Sequence, residues 1–350
     1  MFEMPSEKSL FPYLKSVDKP IYIYGMGNGA EKLKRELDDN NIPLSGIFAS
    51  DEFVRGHSFL EHKVIKYSEL PENAIIVLAF GSFLPELLDR FDAMAAEHEF
   101  FAPDLPLFGE QRFDESVLTA RKSEIEKAYS LLCDEQSRLV FKNTILHKIS
   151  GKISYLRQME TDKSEIYESL LKVCENEHYL DLGAYDGDTV RELLSYTNQK
   201  AASITAVEPD PKNFKKLINK TPQAKAINKG VYNFCGEIAF STEASRNSSV
   251  SAQGKRVIEV DTIDNIVGSG DVTYIKMDVE GSEKQALLGG EKTILRCRPR
   301  LLVSAYHKMW DFFELVNLLG DMLPNYKLYL RHQPYVPNWE TNIIAIPAEF

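Results

Sequence analysis

The first third of the chain alternates short apolar runs with amphipathic stretches. Runs of strand length occur in IYIYG, LSGIFAS and AIIVLAFG, and EFFAP adds a shorter one. Between these runs, residues 28–40 carry Leu33 and Leu37 at helical spacing, and residues 83–98 show a second helical pattern. Alternation of strands and helices predicts a small parallel α/β domain over residues 1–110.

Residues 111–164 carry a helical pattern instead. Apolar side chains from Ile125 to Ile149 roughly follow helical spacing, and charged side chains fill the gaps. This periodicity is typical of amphipathic helices. We therefore expect a helical connector between two α/β domains.

Residues 165–350 begin a second alternation, in which helical patterns at residues 189–196, 211–219 and 283–295 separate strand patterns. The strand patterns are HYLDLG, SITAVEP, AKAINKGVY, VTYIKMDV, RPRLLVSAY, YKLYLRH and TNIIAIP. The last two lie close together along the chain. The order predicts a seven-stranded Rossmann-like sheet of the α/β class that ends in an antiparallel pair.

The composition is that of an ordinary globular protein. Hydrophobic residues make up 43% and charged residues 27% of the 350 positions, which lies in the usual range. The formal net charge of −11 opposes nonspecific binding to a phosphate backbone. Basic clusters at residues 212–220 and 296–300 are expected on solvated faces. The sequence therefore predicts no nucleic-acid partner.

Cysteine spacing and apolar run lengths bear on the compartment. The four cysteines, at positions 133, 174, 235 and 297, show no zinc or CxxC spacing, and scattered cysteines suit a reducing cytosol. The N-terminal sequence has no basic segment followed by an apolar core, and the longest apolar runs are too short to span a bilayer. We expect a cytoplasmic protein with no signal peptide and no integral membrane contact.

Two glycine-containing turns follow predicted strands and compete as the cofactor site. The first, Gly25-x-Gly27-x-x-Ala30, has the spacing of a dinucleotide-binding turn, and Asp51 follows the next strand. However, the domain around it is shorter than the two mononucleotide halves of a full dinucleotide fold. We expect a structural or docking domain there, with a bound nucleotide or nucleotide sugar as the alternative.

The second turn, in YLDLGAYDGDTV, is acidic. Asp181 ends the strand, Gly183 makes the turn, and Asp186 and Asp188 crowd it. Carboxylates at a helix N-terminus would repel a pyrophosphate that binds there. Glu208 ends the next strand, where its carboxylate can accept hydrogen bonds from both hydroxyls of a ribose. This combination favours S-adenosylmethionine over NAD. The predicted cofactor-binding residues are Asp181, Gly183, Asp186, Gly187, Glu208 and Asp278.

A later segment places Asp278 and Glu280 at the end of a strand, the edge where open α/β sheets bind ligands. With it, five segments over residues 165–350 resemble an FkbM-type methyltransferase: DLGAYDGDT, AVEPDP, IKMDVEGSEKQALLGGEKT, YHK and LYLRHQ. The resemblance implies a class I fold, S-adenosylmethionine as methyl donor, and O-methylation of a sugar or polyketide hydroxyl, often in polysaccharide or natural-product biosynthesis. The chain departs from many relatives at Ser304 and Ala305, where an acidic residue often precedes the histidine.

Methyl transfer to an aliphatic hydroxyl depends on positioning and on a base or metal near the acceptor oxygen. The candidates at the sheet edge are Asp278, Glu280, His307 and His332. We expect His307 to be the base, because an unperturbed imidazole titrates at about pH 6.5 and accepts a proton near neutrality. The alternative is that His307 orients the acceptor or its loop. Asp278 is expected to line the methyl-transfer site. The predicted catalytic residues are thus His307, Asp278 and Glu280.

A divalent metal held by Asp278, Glu280 and a histidine is chemically reasonable. Because these residues do not form a known metal-spacing motif, the sequence predicts no metal site. Near the C-terminus, Tyr329, Tyr335 and Trp339 can stack on sugar rings of an acceptor or fill a hinge. Arg331 could contact a phosphate of a carrier-linked glycan.

Two other classes of function stay open. The first is a nicotinamide-dependent sugar-nucleotide enzyme that uses the N-terminal glycine turn. The second is a noncatalytic module that binds the cofactor without turnover. The expected partner is a small-molecule or glycan acceptor.

Overall fold

The computed structural model describes residues 7–107, 111–240 and 256–350. The first six residues, which belong to the N-terminal segment discussed above, lie outside the described residues. The helices of the described chain are each too short or too polar to cross a lipid bilayer.

The N-terminal part is built on a six-stranded sheet in the order β3-β4-β2-β1-β5-β6. Its strands are β1 (Ile21–Tyr24), β2 (Gly46–Ala49), β3 (Ser58–Phe59), β4 (His62–Lys66), β5 (Ile75–Leu78) and β6 (Glu99–Phe101). Its helices are α1 (Leu10–Ser16), α2 (Asn28–Asp39) and α3 (Pro85–Glu97). Neighbouring strands are parallel except for the β3–β4 hairpin. The predicted parallel α/β unit is therefore present.

The β3–β4 hairpin was not predicted from the sequence. It forms the edge of the sheet, and of its seven residues only Val64 is buried. In contrast, every residue of β2 and β5 is buried, as expected for central strands covered on both faces. An exposed edge strand therefore leaves no apolar run to recognise.

Helices fill the middle of the chain as predicted. They are α4 (Glu115–Ala120), α5 (Lys122–Leu131), α6 (Glu135–Ser150) and α7 (Ile153–Met159), followed by a π-helical turn at Glu165–Leu170. The α6 helix is buried on most sides and packs along the C-terminal sheet. One core runs from Ile76 in the first sheet through Phe141 in α6 to Ile343 in the second sheet. The connector is thus part of a core shared by both sheets.

The C-terminal part contains the predicted seven-stranded sheet. Its strands are β7 (His178–Leu182), β8 (Ser203–Val207), β9 (Lys225–Ile227), β13 (Tyr274–Met277), β14 (Arg300–Ser304), β15 (Tyr326–His332) and β16 (Thr341–Pro347), in the order β15-β16-β14-β13-β7-β8-β9. Five strands are parallel, and β16 pairs antiparallel with both β14 and β15. The Rossmann-like fold class is confirmed. The domain boundaries near residues 110 and 164 stay a prediction.

Six helices accompany this sheet: α8 (Asp188–Tyr196), α9 (Pro211–Lys220), α10 (Ile263–Val267), α11 (Glu283–Leu288), α12 (Glu291–Cys297) and α13 (Asp311–Met322). The helix expected over residues 283–295 is divided into α11 and α12 at Gly289. A Cβ atom there would lie 2.2 Å from the carbonyl oxygen of Tyr232, so the backbone passes where no side chain fits.

A second small sheet was also not predicted. Its strands are β10 (Gly230–Val231), β11 (Gly236–Phe240) and β12 (Arg256–Asp261), in the order β10-β12-β11. The run AKAINKGVY, predicted as one strand, contributes β9 to the large sheet and β10 to the small one. A continuous apolar pattern does not mark the change of partner strand.

Candidate active site

The turn after β7 is pressed against the ends of two neighbouring strands. Gly183 has a φ of +79°, and a Cβ atom on it would lie 1.8 Å from the carbonyl oxygen of Asp278. The N–H groups of Gly183 and Ala184 both donate to the carbonyl oxygen of Val207, at 2.9 and 3.0 Å. Gly187, with a φ of +84°, directly precedes α8. The ends of β7, β8 and β13 therefore meet at one place, which we call the carboxyl edge.

Asp181 is completely buried beneath this turn. Its Oδ2 accepts a hydrogen bond of 2.5 Å from Thr189, and its Oδ1 lies 3.8 Å from Nζ of Lys276. Burial raises the pKa of Asp181 to about 6, an effect that Lys276 and Thr189 offset in part. A buried carboxylate close to the turn favours a cationic ligand.

Lys276 was not recognised from the sequence. It is buried in β13, and its ammonium lies 3.7 Å from Oδ2 of Asp278 as well as near Asp181. Burial alone would lower the pKa of Lys276, but Asp278 and Asp181 raise it above its ordinary value. The sequence did contain a sign of this site, since Lys276 lies within the otherwise apolar strand YIKM. A lysine is rarely buried without a charged partner, so its position indicates acidic groups nearby.

Glu208 directly follows β8 and is 6% exposed. Its two carboxylate oxygens accept hydrogen bonds from the backbone N–H groups of Tyr185 and Asp210, at 2.9 and 2.8 Å. Burial raises the pKa of Glu208 to about 7, although these two hydrogen bonds work in the opposite direction. The backbone thus fixes the carboxylate beside the glycine turn, and each oxygen can accept a further hydrogen bond.

Asp186 has different contacts from the other predicted cofactor residues. Its carboxylate pairs with Lys220 and, at 3.1 Å, with Arg191. Burial by itself raises the pKa of Asp186, but the two cations lower this pKa by a larger amount. The pKa of Asp186 is therefore below its ordinary value. The structure brings Asp181, Gly183, Glu208 and Asp278 together, whereas the Asp186 carboxylate ties α8 to α9.

His307 lies three residues beyond β14 and is 2% exposed. Its Nε2 is 3.2 Å from Oδ1 of Asp278 and 3.6 Å from Oε2 of Glu280. Its Nδ1 is 2.9 Å from Oε1 of Glu283. The three predicted catalytic residues therefore meet at the carboxyl edge, together with Glu283, which was not predicted.

These carboxylates change the protonation of His307. Burial by itself would lower the pKa of His307, but Glu283 and Asp278 raise it well above its ordinary value. The assumption of an unperturbed imidazole is therefore wrong for this site, because two carboxylates stabilise the imidazolium ion. The two carboxylates thus favour the protonated form of His307, whose Nε2 lies beside Asp278.

Glu283 is held by the loop that precedes it. Its Oε1 accepts hydrogen bonds from the N–H groups of Val279 and Gly281, at 3.0 and 3.3 Å. Glu280 and Gly281 both have positive φ values, +53° and +87°, so the loop turns sharply around the carboxylate. In the sequence, Glu283 could have been noticed as the final glutamate of the segment DVEGSE, which follows a predicted strand. Its role became visible only when His307 was placed beside it.

One more acidic group, Asp311, lies behind this cluster at the start of α13. It is 5% exposed, and its Oδ2 accepts a hydrogen bond of 2.8 Å from the N–H of Lys308. Burial, followed by the charge of Glu283, raises the pKa of Asp311 to about 7. The interior side of the cluster is therefore acidic as well.

The glycine turn, Glu208, Asp278 and His307 all lie within residues 181–336, which match the family model of the methyltransferase FkbM domain. We call this part of the chain the FkbM domain, after the family model that it matches. A crystal structure described as methyltransferase FkbM from Methylobacillus flagellatus KT is similar over 93% of this chain and 90% of that chain. Its TM-score is 0.71 and its sequence identity is 20%, so the likeness shows a shared fold that includes the N-terminal part.

Two other solved structures match about half of the chain. One is Aeropyrum pernix fibrillarin in complex with S-adenosyl-L-methionine, at 13% identity over 52% of this chain and 72% of that chain, with a TM-score of 0.35. The other is SMU.1697c, a putative methyltransferase from Streptococcus mutans in complex with SAH. It is 13% identical over 53% of this chain and 98% of that chain, with a TM-score of 0.34. No curated protein matches the chain.

His332 is held inside the FkbM domain, away from solvent. It is completely buried, with Nδ1 3.0 Å from Oγ1 of Thr341. Burial, with a smaller contribution from His147, lowers the pKa of His332 to about 3. His332 therefore belongs to the core, at the end of β15 where this strand packs against α6.

The guanidinium group of Arg331 is also engaged in contacts within the protein. It is 2% exposed and pairs with Asp134 at 2.6 Å and Glu165 at 3.1 Å. Its guanidinium also donates to Ser137 at 2.9 Å. These contacts join β15 to the connector, so the expectation that Arg331 contacts an acceptor phosphate is not supported.

The aromatic residues that follow β15 contact the N-terminal part of the chain. The backbone of Val336 exchanges two hydrogen bonds with Ser82, at 2.8 and 3.0 Å. The ring of Tyr335 lies 5.9 Å from that of Phe83 and 5.5 Å from that of Trp339, measured between centroids. The charge of Glu340, in the same segment, makes a small contribution to the raised pKa of Lys276, after those of Asp278 and Asp181.

The first glycine turn has a packing requirement of its own. Gly25 and Gly27 have φ values of +108° and +99°. A Cβ atom on Gly29 would lie 1.9 Å from the carbonyl oxygen of Ala79, so α2 approaches β5 more closely than a side chain permits. Gly29 thus serves the packing of α2 against the sheet, and the role of this domain stays a prediction.

Proposed function

We propose that the FkbM domain transfers a methyl group from S-adenosylmethionine to a hydroxyl group of a sugar, a glycan or a related natural product. The observation that carries this proposal is the closeness of two groups of residues at one sheet edge. Asp181, Gly183 and Glu208 form one side, and Asp278 with His307 forms the other. The family of the domain supports the reaction class.

The residues present fit this methyl donor. Asp181 Oδ1 is buried beneath the turn and accepts no hydrogen bond from the described residues, so the carboxylate acts on a ligand through its charge. Glu208 presents two backbone-anchored oxygens for a ribose diol. Acidic groups around the turn suit a sulfonium and an ammonium group and oppose a pyrophosphate.

When bound, S-adenosylmethionine supplies an electrophilic methyl group: a carbon–oxygen bond forms to the acceptor, the carbon–sulfur bond breaks, and sulfur keeps the electron pair. The chain orients the acceptor oxygen and receives its proton. Asp278 and Glu280 reach solvent, with side chains 27% and 44% exposed. We propose that the hydroxyl proton passes to one of these carboxylates while the imidazolium of His307 orients Asp278.

The acceptor class is supported by the aromatic segment. Phe83 is 56% exposed and Trp339 is partly exposed, whereas the Tyr335 ring that adjoins both of them is buried. Aromatic faces of this kind suit sugar rings, whose C–H groups are apolar. The segment also carries Glu340, whose charge acts on Lys276.

Calorimetric titration of the full chain with S-adenosylmethionine and, separately, with NAD tests the donor. We expect saturable binding of S-adenosylmethionine that Glu208→Ala weakens and that the exposed-site variant Glu291→Ala leaves unchanged. Mass spectrometry of glycans and nucleotide sugars from the native host, with and without the protein, then tests the acceptor. Binding of NAD alone would favour the nicotinamide-dependent alternative and overturn the proposal.

A further inference from the structure

We propose that Asp278, Glu283 and His307 bind a divalent metal ion at the carboxyl edge of the FkbM sheet. One donor atom from each residue lies within 4.8 Å of the donor atoms of the other two. Donor atoms bound to one ion through bonds of about 2.1–2.2 Å are at most about 4.4 Å apart. A small inward movement of the side chains therefore brings all three donors onto one ion.

The three donors come from elements that the backbone already fixes. Asp278 directly follows β13, Glu283 begins α11, and His307 follows β14. The N–H groups of Val279 and Gly281 hold one oxygen of Glu283. Because the loop positions the carboxylate, side-chain rotation is sufficient to complete the site.

Glu283 also has an unused oxygen. The side chain is 1% exposed, and its Oε2 is buried without a hydrogen-bond partner among the described residues. A buried carboxylate oxygen without a partner is costly. A metal ion within this cluster would give Oε2 the cationic partner that it lacks.

The charge around His307 favours a divalent cation. Three carboxyl groups lie within 4 Å of the imidazole, those of Asp278, Glu280 and Glu283. The charge of His307 also acts on the carboxyl group of Asp311. The ammonium of Lys276 contacts Asp278 but is shared with Asp181. A mixed set of carboxylate and imidazole donors suits first-row ions such as Mn²⁺ and Zn²⁺. Because only a neutral imidazole binds a metal, the ion takes the place of one ring proton of His307 when it binds.

The site is accessible from one side. The Asp278 and Glu280 side chains are partly exposed, and Oε2 of Glu280 lies 3.6 Å from Nε2 of His307. An ion can therefore enter from solvent and gain Glu280 as a further ligand. If the proposed methyl transfer is correct, on which this role rests, the ion would bind the acceptor hydroxyl and lower its pKa.

The test is Mn²⁺ binding to the full chain after treatment with a chelator, with methyl donor and acceptor omitted. Electron paramagnetic resonance of free Mn²⁺ should show one saturable site per chain. Asp278→Asn and His307→Gln should each weaken binding on the order of 10–100-fold or more. Glu291→Gln, which changes an exposed carboxylate at the start of α12, should bind as the wild type does. Circular dichroism checks that each variant is folded.

The proposal is overturned if the wild type has no saturable site for Mn²⁺ or for Zn²⁺. It is also overturned if folded Asp278→Asn binds Mn²⁺ as tightly as the wild type. Should His307→Gln fail to fold, Asp278→Asn still decides, since its side chain is partly exposed. Titration of the same samples with S-adenosylmethionine keeps the two proposals apart, because metal binding without donor binding would contradict only the proposed function.

Discussion

Glu283 Oε1 lies 2.9 Å from Nδ1 of His307, and both side chains are almost completely buried. The carboxylate is itself held by two backbone N–H groups of the preceding loop. The imidazole ring is therefore fixed, with Nε2 directed to Asp278. This relationship connects the loop after β13 to the end of β14 and gives the carboxyl edge a preorganised geometry.

Replacing His307 by alanine should separate catalysis from donor binding. The proposed donor contacts come from the ends of β7 and β8, so the affinity for S-adenosylmethionine should stay near that of the wild type. Turnover should fall on the order of 10²-fold, since Asp278 loses the group that orients it. Calorimetry and steady-state rates with the acceptor found by mass spectrometry measure the two effects. Near-normal turnover would show that His307 is only structural.

Replacing Glu208 by alanine should weaken binding of S-adenosylmethionine by about 1–3 kcal/mol, the value of charge-assisted hydrogen bonds to a ribose. Calorimetric titration measures the change. Glu291→Ala serves as the control, because that side chain lies at an exposed helix start. Unchanged affinity in a folded Glu208→Ala protein would remove Glu208 from the site.

Glu208 should also make stability depend on pH. Its pKa is about 7 in the folded protein and about 4.5 when unperturbed, so the folded state binds more protons between these values. Its contribution therefore destabilises the fold as pH rises from about 4.5 to 7, on the order of 3 kcal/mol in total. Urea unfolding of Glu208→Gln should show a gain over the wild type at pH 8 and little difference at pH 4. An equal difference at both pH values would contradict this assignment.

Alanine at Gly183 should disrupt the cofactor turn. The left-handed backbone and the contact with the Asp278 carbonyl oxygen both exclude a Cβ atom, so stability should fall by at least about 2 kcal/mol. Binding of S-adenosylmethionine should be lost with it. Gly236→Ala provides the comparison, because a Cβ there meets only a side chain at 3.3 Å. Thermal unfolding midpoints that agree for the two variants would refute the packing argument.

Arg331→Met should reduce stability without changing donor affinity. The buried guanidinium joins β15 to Asp134 of the connector and to Glu165 of the π-helical turn, and its removal leaves two partly exposed carboxylates. A loss of about 1–3 kcal/mol is expected. Arg35→Met, at an exposed position of α2, should be nearly neutral in the same urea unfolding experiment. If Arg331→Met keeps wild-type stability and instead raises the Michaelis constant for the acceptor, the phosphate-binding role is restored.

Local patterns were sufficient for most of the C-terminal sheet. The seven strand patterns predicted its seven strands, because central strands covered by helices must be continuously apolar. The glycine at position 183 and the acids at strand ends were visible for a similar reason. Parallel strands bring their carboxyl ends to one edge, so residues at those ends are expected to meet.

Other features had no local signal. The hairpin β3–β4 forms an exposed edge of the first sheet. The chain leaves the large sheet after β9 and enters the small sheet at β10, within a stretch that was predicted as one strand. The shared core through α6 depends on contacts between residues that are distant along the chain. Periodicity reports which face of an element is apolar, but not which element covers that face.

By itself, the sequence determined the fold class, the succession of the seven strands of the C-terminal sheet along the chain, and the residues that end these strands. These features depend on neighbouring positions along the chain. Tertiary structure alone decided the direction in which the pKa of His307 shifts. Its pKa depends on Glu283 and Asp278, whose distances to the imidazole are set by the ends of different elements. It also decided that Arg331 faces the connector and that His332 is buried. Electrostatic interactions depend on distance in space and on burial, and both arise only when the strands and helices pack together.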